Sequence, residues 1–429
     1  MPSRRLFCLS STAALTAATF RHTPTHAAHN QAIEPVTAQP GDWPWWRGPT
    51  LNGIAESEQN PPVVWDESKN ILWKTPVPGR SHGSLTVVGS DVLLAIADHE
   101  RNVQSIICLD RNTGKQKWET ILHEDGLNVK GNEKSSMASA SPACDGQRIF
   151  MNFHSGDAVW MHALDRDGSP IWKTRLSGYV NHQGFGASPL LHGELVIGAS
   201  DNKGGGAIVA MHRQTGKIVW KRDRPAKPNY PSPVTLNAAG STQLILTGCD
   251  LVTSLDPQTG QTNWEFPGAT TECVTTSVTD GERIFTSGGY PKNHVSAVFA
   301  DGSGKLAWEN NARTYVPSML IHKQTLFAVL DAGIAICWDS ASGQELWKGR
   351  LGGTFSSSTV LANGLIYAAN EEGTTFIYEA NREKFNLVAS NKLGDNTFAT
   401  PTICGSRIYQ RIAATENGRR QEFAVCIGT

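Results

Sequence analysis

The chain has 429 residues, of which 18% are charged, and its formal net charge is −1 at pH 7. A near-neutral chain without a basic stripe interleaved with aromatic residues gives no electrostatic basis for a nucleic-acid partner. The 41 Gly, 22 Pro and 13 Trp, together with few apolar residues at helical spacing, indicate an all-β protein rich in turns.

The first 28 residues have the pattern of a targeting segment. Arg4-Arg5 forms a charged start, residues 6–20 are mostly apolar, and small residues at Ala27-Ala28 suit a cleavage site. The apolar run is too short and too polar to span a membrane. We therefore predict a signal peptide at residues 1–28 and export to the periplasm or the extracellular space, with the Sec and twin-arginine routes both open.

Residues 29–69 are predicted to form a linker and a Trp-rich segment. Trp43, Trp45 and Trp46 lie within four positions, followed by Arg47. The favoured hypothesis is structural: the indoles pack onto the body of the protein, and Arg47 is stacked or ion-paired. The alternative is an aromatic patch that binds a ligand.

A repeated motif organises residues 70–429. After an apolar strand comes Asp-x-x-Thr-Gly-x-x-x-Trp, as in residues 256–264. The copies recur about every 45 residues, a period typical of a propeller blade with four short strands. A degenerate copy of the motif, with Leu387 in the Trp position, is predicted near residue 387. The repeated Trp residues, which we expect to dock one blade on the next, are Trp73, Trp118, Trp172, Trp220, Trp264, Trp308 and Trp347.

The two ends of the repeat array complement each other. The last unit has three predicted strands, and residues 70–75 supply only a fourth. We therefore predict an eight-bladed, WD-like β-propeller closed by N- and C-terminal strands in one blade. The alternative is a seven-bladed ring with a loose N-terminal strand.

The cysteine pattern points away from a disulfide framework and from a zinc site. The seven cysteines after the signal segment are odd in number and include no CxxC or adjacent pair. We expect small buried side chains, although one bridge in an exported protein stays open. They are Cys108, Cys144, Cys249, Cys273, Cys337, Cys404 and Cys426.

The repeat resembles that of the pyrroloquinoline quinone (PQQ) enzymes over nearly all of residues 70–429. This resemblance implies a propeller in which each Trp docks between blades and each Thr/Ser-Gly turn joins the two outer strands. The Trp-rich start further resembles secreted planctomycete-type propellers, and an outer-membrane assembly scaffold is a relative. The chain departs from the pattern at His212 and Ala300, which replace the Asp, and it lacks the adjacent cysteines of the quinone dehydrogenases.

Candidate ligand residues lie in loops that a propeller gathers at one mouth of its channel. His82, His154 and His182 enter from adjacent blades and, with an Asp, could bind a metal or act as acid and base. A solvated loop face is the favoured alternative, and no metal ligand set is predicted. The mouth candidates are His82, His154, Asp157, His182, Gln183, Asp201, Asn229, Tyr230, Glu272 and Arg411.

No sequence motif identifies a catalytic residue, and no GxSxG nucleophile elbow is present. The sequence therefore predicts a monomeric binding or scaffold module for a protein or a small molecule at the channel mouth. It does not favour an enzyme and predicts no cofactor. The alternative, implied by the resemblance, is a PQQ-dependent alcohol or sugar dehydrogenase that would use PQQ and calcium.

Overall fold

The computed structural model describes residues 38–127 and 131–429, so the predicted signal peptide lies outside the described residues. In this part of the chain, 32 strands form eight four-stranded antiparallel sheets, and no helix occurs. The predicted all-β, eight-bladed propeller is confirmed. Within the same residues, no helix is long and apolar enough to cross a membrane.

Blades one to four each run from an inner strand to an outer strand in chain order. They are β2 (Thr86–Val88), β3 (Asp91–Asp98), β4 (Val103–Asp110) and β5 (Gln116–Glu124); β6 (Ala143–Cys144), β7 (Arg148–Ser155), β8 (Ala158–Asp165) and β9 (Pro170–Gly178); β10 (Leu190–His192), β11 (Leu195–Ala199), β12 (Gly206–His212) and β13 (Ile218–Arg224); and β14 (Val234–Ala238), β15 (Ser241–Gly248), β16 (Leu251–Leu255) and β17 (Thr262–Pro267).

Blades five to seven repeat this order, and blade eight combines both ends of the propeller. They are β18 (Val278–Thr279), β19 (Arg283–Gly288), β20 (His294–Phe299) and β21 (Leu306–Asn310); β22 (Leu320–His322), β23 (Thr325–Leu330), β24 (Ile334–Asp339) and β25 (Glu345–Arg350); β26 (Val360–Ala362), β27 (Leu365–Ala369), β28 (Thr374–Glu379) and β29 (Leu387–Lys392); and β30 (Thr402–Cys404), β31 (Arg407–Glu416), β32 (Arg419–Ile427) and β1 (Ile71–Val77).

The ring closes through the pairing of β1 with β32. Trp73 lies opposite Cys426, and Thr75 lies opposite Ala424, in an antiparallel ladder. The N-terminal strand is therefore the outer strand of blade eight, and the seven-bladed alternative is wrong. Closure of this kind lets the ends of the propeller hold each other, because every ladder bond joins distant parts of the chain.

The register of blade seven differs from the prediction in one detail. Its register pairs Ala389 with Ile377, as Trp347 pairs with Cys337 in blade six. Ala389, rather than Leu387, therefore occupies the Trp position, and Leu387 is 44% exposed. Each blade contains a register shift between its two outer strands. In blade seven, this shift places the Trp position two residues later than the sequence spacing suggested.

The conserved geometry of the repeat turn follows from three hydrogen bonds and one glycine. The Asp256 Oδ1 atom accepts hydrogen bonds from the backbone N–H groups of Gln258 and Thr259 and from the Thr259 hydroxyl. Gly260 has a φ of 70°, which a residue without Cβ adopts at little cost. A Cβ at this position would also lie 2.6 Å from the ring of Trp220. The turn thus needs glycine for both its backbone and its packing.

Each repeated Trp, with one exception, donates its indole N–H to a backbone carbonyl in the turn of the next blade. The Trp220 indole of blade three donates a hydrogen bond to the Pro257 carbonyl of blade four over 3.1 Å. In blade four, the Trp264 indole instead donates to Gln243 Oε1 within its own blade, and the following turn lacks the usual Asp at Ala300. The other indoles that donate to a carbonyl of the next blade are Trp73, Trp118, Trp172, Trp308 and Trp347.

The apolar core consists of clusters that lie between the sheets. The second and third strands of the blades contribute most of the fully buried side chains, as Leu93, Ile107 and Phe150 illustrate. The seven cysteines of the described residues are all buried and unbridged. Burial of apolar surface between the blades, rather than covalent crosslinks, therefore stabilises the ring.

Replacing Trp220 with Ala should reduce the free energy of unfolding by about 3–5 kcal/mol, the usual cost of truncating a buried aromatic residue. The control is Val219→Ala, since Val219 lies on the same strand and is 52% exposed. Chemical denaturation of both variants measures the difference. Equal losses in the two variants would contradict the role of the indole in joining the blades.

Candidate functional site: the central cavity

The Trp-rich segment crosses one end of the channel. Trp43 forms an antiparallel bridge with Val87 on the inner strand of blade one, and Ile54 forms a parallel bridge with Leu361 on the inner strand of blade seven. Between these bridges, Trp46 donates its indole N–H to the Thr276 hydroxyl of blade five over 2.8 Å. The segment therefore touches inner strands on opposite sides of the ring and forms a floor for the channel.

Arg47 holds this floor in place. Its side chain is fully buried, and its Nη1 atom donates to the Thr359 carbonyl over 2.9 Å. Its Nη2 atom donates to the carbonyls of Met319 and Asn52. The guanidinium thus contacts backbone oxygen atoms, whereas the sequence suggested stacking or an ion pair. Burial lowers the pKa of Arg47 to about 9, a value at which the group is still protonated at neutral pH.

A girdle of Ser and Thr hydroxyls surrounds the channel above the floor. The backbone N–H of Ser141 donates to the Ser188 hydroxyl of the next blade over 2.9 Å, and the N–H of Ser188 donates to the Ser232 hydroxyl. The same contact joins blade five to six, six to seven and seven to eight. We name this set the hydroxyl girdle. Its members are Ser141, Ser188, Ser232, Thr276, Ser318, Ser358 and Thr400.

The floor and the girdle enclose a central cavity of about 350 Å³, a size within the range of small-molecule sites. Each blade contributes a residue that precedes its inner strand, so the cavity lies on the axis of the ring. The lining residues that matter for the chemistry below are Trp46, His82, Asn132, Lys134, Gln183, Phe185, Tyr230, Tyr315 and Phe398, with the girdle hydroxyls from Ser188 to Thr400.

One loop extends over part of the cavity opening. We name residues 131–136, which precede the inner strand of blade two, the overhanging loop. Its Lys134 ammonium lies 2.8 Å from the Glu371 carboxylate of blade seven. Its Asn132 amide donates to the Gln183 side chain over 3.0 Å. The loop is thereby attached to blades on two sides of the opening, and it narrows the entrance.

His82 presents a neutral imidazole to the cavity. Its ring stacks on Phe398 with the centroids 4.3 Å apart. Burial, and secondarily the positive charge of Arg80, lowers the pKa of His82 well below its usual value. Its Nε2 atom is buried and has no hydrogen-bond partner among the described residues. This nitrogen is closed to solvent, so His82 contributes ring surface to the cavity lining rather than an accessible hydrogen-bonding atom.

Two tyrosines and a buried carboxylate form a second polar group at the cavity. Tyr230 and Tyr315 line it, and the Tyr315 hydroxyl lies 3.4 Å from Glu272 Oε2. The other carboxylate oxygen of Glu272 lies 3.3 Å from the Nε2 atom of His182. Burial raises the pKa of both tyrosines. Glu272 and His182 therefore stand behind the phenols, with the hydroxyl of Tyr315 between the carboxylate and the cavity.

Five of the ten residues predicted for the mouth are neither in this lining nor paired with it. His154 is buried, its Nε2 atom contacts the Gly156 carbonyl, and burial lowers its pKa. The Asp157 side chain is 95% exposed and lies 4.0 Å from Arg175.

The remaining three form buried contacts within and between blades. Asp201 is ion-paired with Arg224 at 3.1 Å and accepts a hydrogen bond from the Asn229 amide. Arg411 is ion-paired with Glu422 at 2.9 Å, and burial lowers its pKa. These side chains are engaged in contacts with one another, so they stabilise the blades rather than line the cavity.

The three histidines of the hypothesised cluster each have a different neighbour. His82 stacks on Phe398, whereas the His154 ring lies 4.4 Å from that of Tyr179 and His182 pairs with Glu272. In residues 38–127 and 131–429, no group of three or more His, Cys, Asp or Glu side chains is arranged to hold a metal ion.

Several lining residues were missed from the sequence. Trp46 was assigned with its neighbours to packing, and Trp43 and Trp45 are indeed buried, but Trp46 also lines the cavity. Lys134 and Phe398 do not belong to a recognisable sequence motif. A signal for the girdle did exist, because Ser-Pro or Thr-Pro opens four of the inner strands, as at Ser188 and Ser232. The Pro is tolerated at the start of a strand, and the hydroxyl before it is the interblade acceptor.

These features define a closed PQQ-like repeat propeller with a plugged channel. Residues 54–165 and 160–349 match the family model described as outer membrane protein assembly factor BamB, and the chain belongs to this family. The assembly factor BamB of Burkholderia pseudomallei is 25% identical over 79% of this chain and 83% of its own length. A polyvinylalcohol dehydrogenase of Sphingopyxis is 24% identical over 46% of this chain but only 30% of its own length.

Solved structures support the fold alone. BamB from Moraxella catarrhalis superposes with a TM-score of 0.58 at 13% identity, over 83% of this chain and 99% of its own. The quinohemoprotein alcohol dehydrogenase of Comamonas testosteroni superposes with a TM-score of 0.63 at 12% identity, over 90% of this chain and 81% of its own. A shared fold at this identity does not transfer an activity.

The His82 environment predicts a dependence of stability on pH. Because the folded pKa of His82 is lowered, the unfolded chain binds a proton near pH 6 that the folded protein does not. The free energy of unfolding should therefore fall as the pH falls below about 6.5. His82→Gln should lose less stability between pH 7 and pH 5 than the unsubstituted protein, as measured by urea unfolding. The same loss in both would contradict a neutral His82.

Proposed function

We propose that this protein is an exported binding module whose ligand is a small molecule held in the central cavity. One observation carries the proposal: the channel is closed at one end by a floor that Arg47 fixes through three backbone carbonyls. A closed floor converts a channel into a pocket. The charged and apolar start of the chain supports export.

The lining supports binding rather than catalysis by its own side chains. Aromatic faces of Trp46 and Phe398 and neutral polar groups surround the space, as is usual for small-molecule sites. Glu272 is not in the lining, and its carboxylate is paired with Tyr315 and His182. His82 is in the lining, but its Nε2 atom is closed to solvent. A base needs direct reach to the proton that it removes, and Glu272 lacks it.

The quinone-dependent alternative does not fit the residues present. PQQ is a polyanionic tricyclic quinone, and the resembling dehydrogenases hold calcium with Glu, Asn and Asp. Lys134 is the one charged side chain in the described lining, and it is already paired with Glu371. Glu371 also accepts a hydrogen bond from Ser356. The cavity thus offers neither free cations for the carboxylates nor a set of oxygen ligands for calcium.

A second candidate function is a scaffold for a protein partner. Membership of the family described as outer membrane protein assembly factor BamB favours it. Several outer strands also expose apolar side chains next to the docking Trp position, including Leu72, Ile171 and Val219. Exposed apolar positions in a repeating arrangement can contact a protein partner.

A cavity-filling substitution tests the small-molecule proposal. Gly186 lines the cavity, and a Cβ on it would meet only the Ser139 Cβ at 3.8 Å. Gly186→Leu should place its side chain in the cavity without backbone strain. In a thermal-shift screen of small organic molecules of all charge types, we expect ligands of the unsubstituted protein to lose at least about tenfold in affinity, or 1.4 kcal/mol.

The matched control is Gly178→Leu on the outer strand of blade two, where a Cβ meets Arg175 Nη2 at 3.6 Å. This variant should keep the affinity for every ligand. If no compound binds, or if Gly186→Leu binds each ligand as before, the cavity is not the binding site. If the Gly186→Leu variant still bound a protein partner, that result would favour the scaffold function.

Because the lining residues do not suit PQQ and calcium, we also predict the result of adding them. PQQ with calcium should neither raise the melting temperature nor support dye-linked oxidation of alcohols or sugars. Differential scanning fluorimetry and a dye-reduction assay measure the two effects. A saturable shift that depends on calcium, with turnover, would overturn the assignment as a binding module.

A further inference from the structure

We infer that the central cavity selects an uncharged ring compound rich in oxygen acceptors, such as a pyranoside. This inference rests on the proposed function and names its ligand class. It comes from the hydrogen-bonding state of the hydroxyl girdle, the charge of the lining and the placement of the aromatic rings.

Six girdle hydroxyls line the cavity with a proton to donate. In each, the oxygen accepts one hydrogen bond: Ser188 from the Ser141 N–H, for example, and Thr276 from the Trp46 indole. A hydroxyl is both acceptor and donor, and within the described residues no protein group accepts the protons of these six. The lining members are Ser188, Ser232, Thr276, Ser318, Ser358 and Thr400.

The acceptor role of these hydroxyls also fixes their oxygen positions. Ser318 Oγ is held at 3.0 Å by the Thr276 N–H, and Ser358 Oγ at 2.9 Å by the Ser318 N–H. The donors therefore form a preorganised partial ring that loses little side-chain entropy when a ligand binds. A ring of donors around an axis suits a compact molecule with acceptors around its edge.

The charge of the lining disfavours an ionic ligand. His82 is neutral because burial lowers its pKa, and Lys134 is neutralised by Glu371. Placing an unpaired charge in such a site is costly, whereas hydroxyl and ether oxygens exchange bonds with water for bonds with the girdle.

Aromatic rings supply the apolar contacts that a sugar ring requires. Trp46 forms the floor, and Phe185 and Phe398 lie in the walls. The C–H faces of a pyranose pack on such rings while its hydroxyls point outward to the donors. Tyr315, whose hydroxyl lies next to Glu272, adds a polar group to the lining.

The experiment compares three ligands with the same ring and different charge: methyl glucoside, glucuronate and glucosamine. Isothermal titration calorimetry of the full-length protein at pH 6.5, where glucosamine is mostly protonated, should give the tightest binding for the neutral glycoside. Stronger binding of glucuronate or glucosamine would overturn the inference on charge. No binding of any of the three would overturn the ligand class, while the screen with Gly186→Leu decides separately whether the cavity binds small molecules at all.

Two girdle variants separate ligand contact from folding. Ser188→Ala and Ser141→Ala each remove one interblade acceptor, but of these two only Ser188 lines the cavity. Both should lower stability to a similar extent. Ser188→Ala should weaken glycoside binding about fivefold, the effect of one neutral hydrogen bond, and Ser141→Ala should leave it unchanged. Equal effects on binding would contradict a direct role for the girdle protons.

Discussion

The contact between an indole of one blade and the glycine turn of the next is the constraint on which this structure depends. Gly260 needs its positive φ to form the turn and its missing side chain to admit the Trp220 ring. Repeated at most of the blade junctions, this contact sets the spacing of neighbouring sheets, and the β1–β32 ladder then closes the circle. A closed ring of eight sheets necessarily leaves space on its axis, so the central cavity is a consequence of the outer contacts.

The proposed binding cavity is separated in space from the repeat that builds the fold. The repeated Trp residues lie on outer strands, whereas the cavity is lined by residues that precede the inner strands. The hydroxyl girdle contributes to both, because most of its oxygens accept a hydrogen bond from the neighbouring blade and six of its members line the cavity. Arg47 makes the difference between a channel and a pocket, since it holds the floor through carbonyls of blades six and seven.

The sequence predicted the fold well and the site only in part. Blade number and closure followed from a motif with a fixed period, because its Asp and Gly satisfy local turn geometry. The position of Leu387 was wrong by two residues, since a strand irregularity is invisible in a copy without turn or Trp. Of the mouth candidates, His82, Gln183 and Tyr230 line the cavity. Asp201 and Arg411 instead found partners in neighbouring strands, and polar character alone could not distinguish a ligand contact from a buried ion pair.

The central claim is that the ligand of this protein occupies the axis of the ring, above Trp46 and within the hydroxyl girdle. A crystal structure of the protein grown with the compound that gives the largest thermal shift tests this claim most directly. The account predicts electron density between Trp46 and the Phe398–His82 stack, with oxygen atoms within hydrogen-bond distance of Ser188 and Ser358. Density only at the outer strands, with an empty cavity, would contradict it.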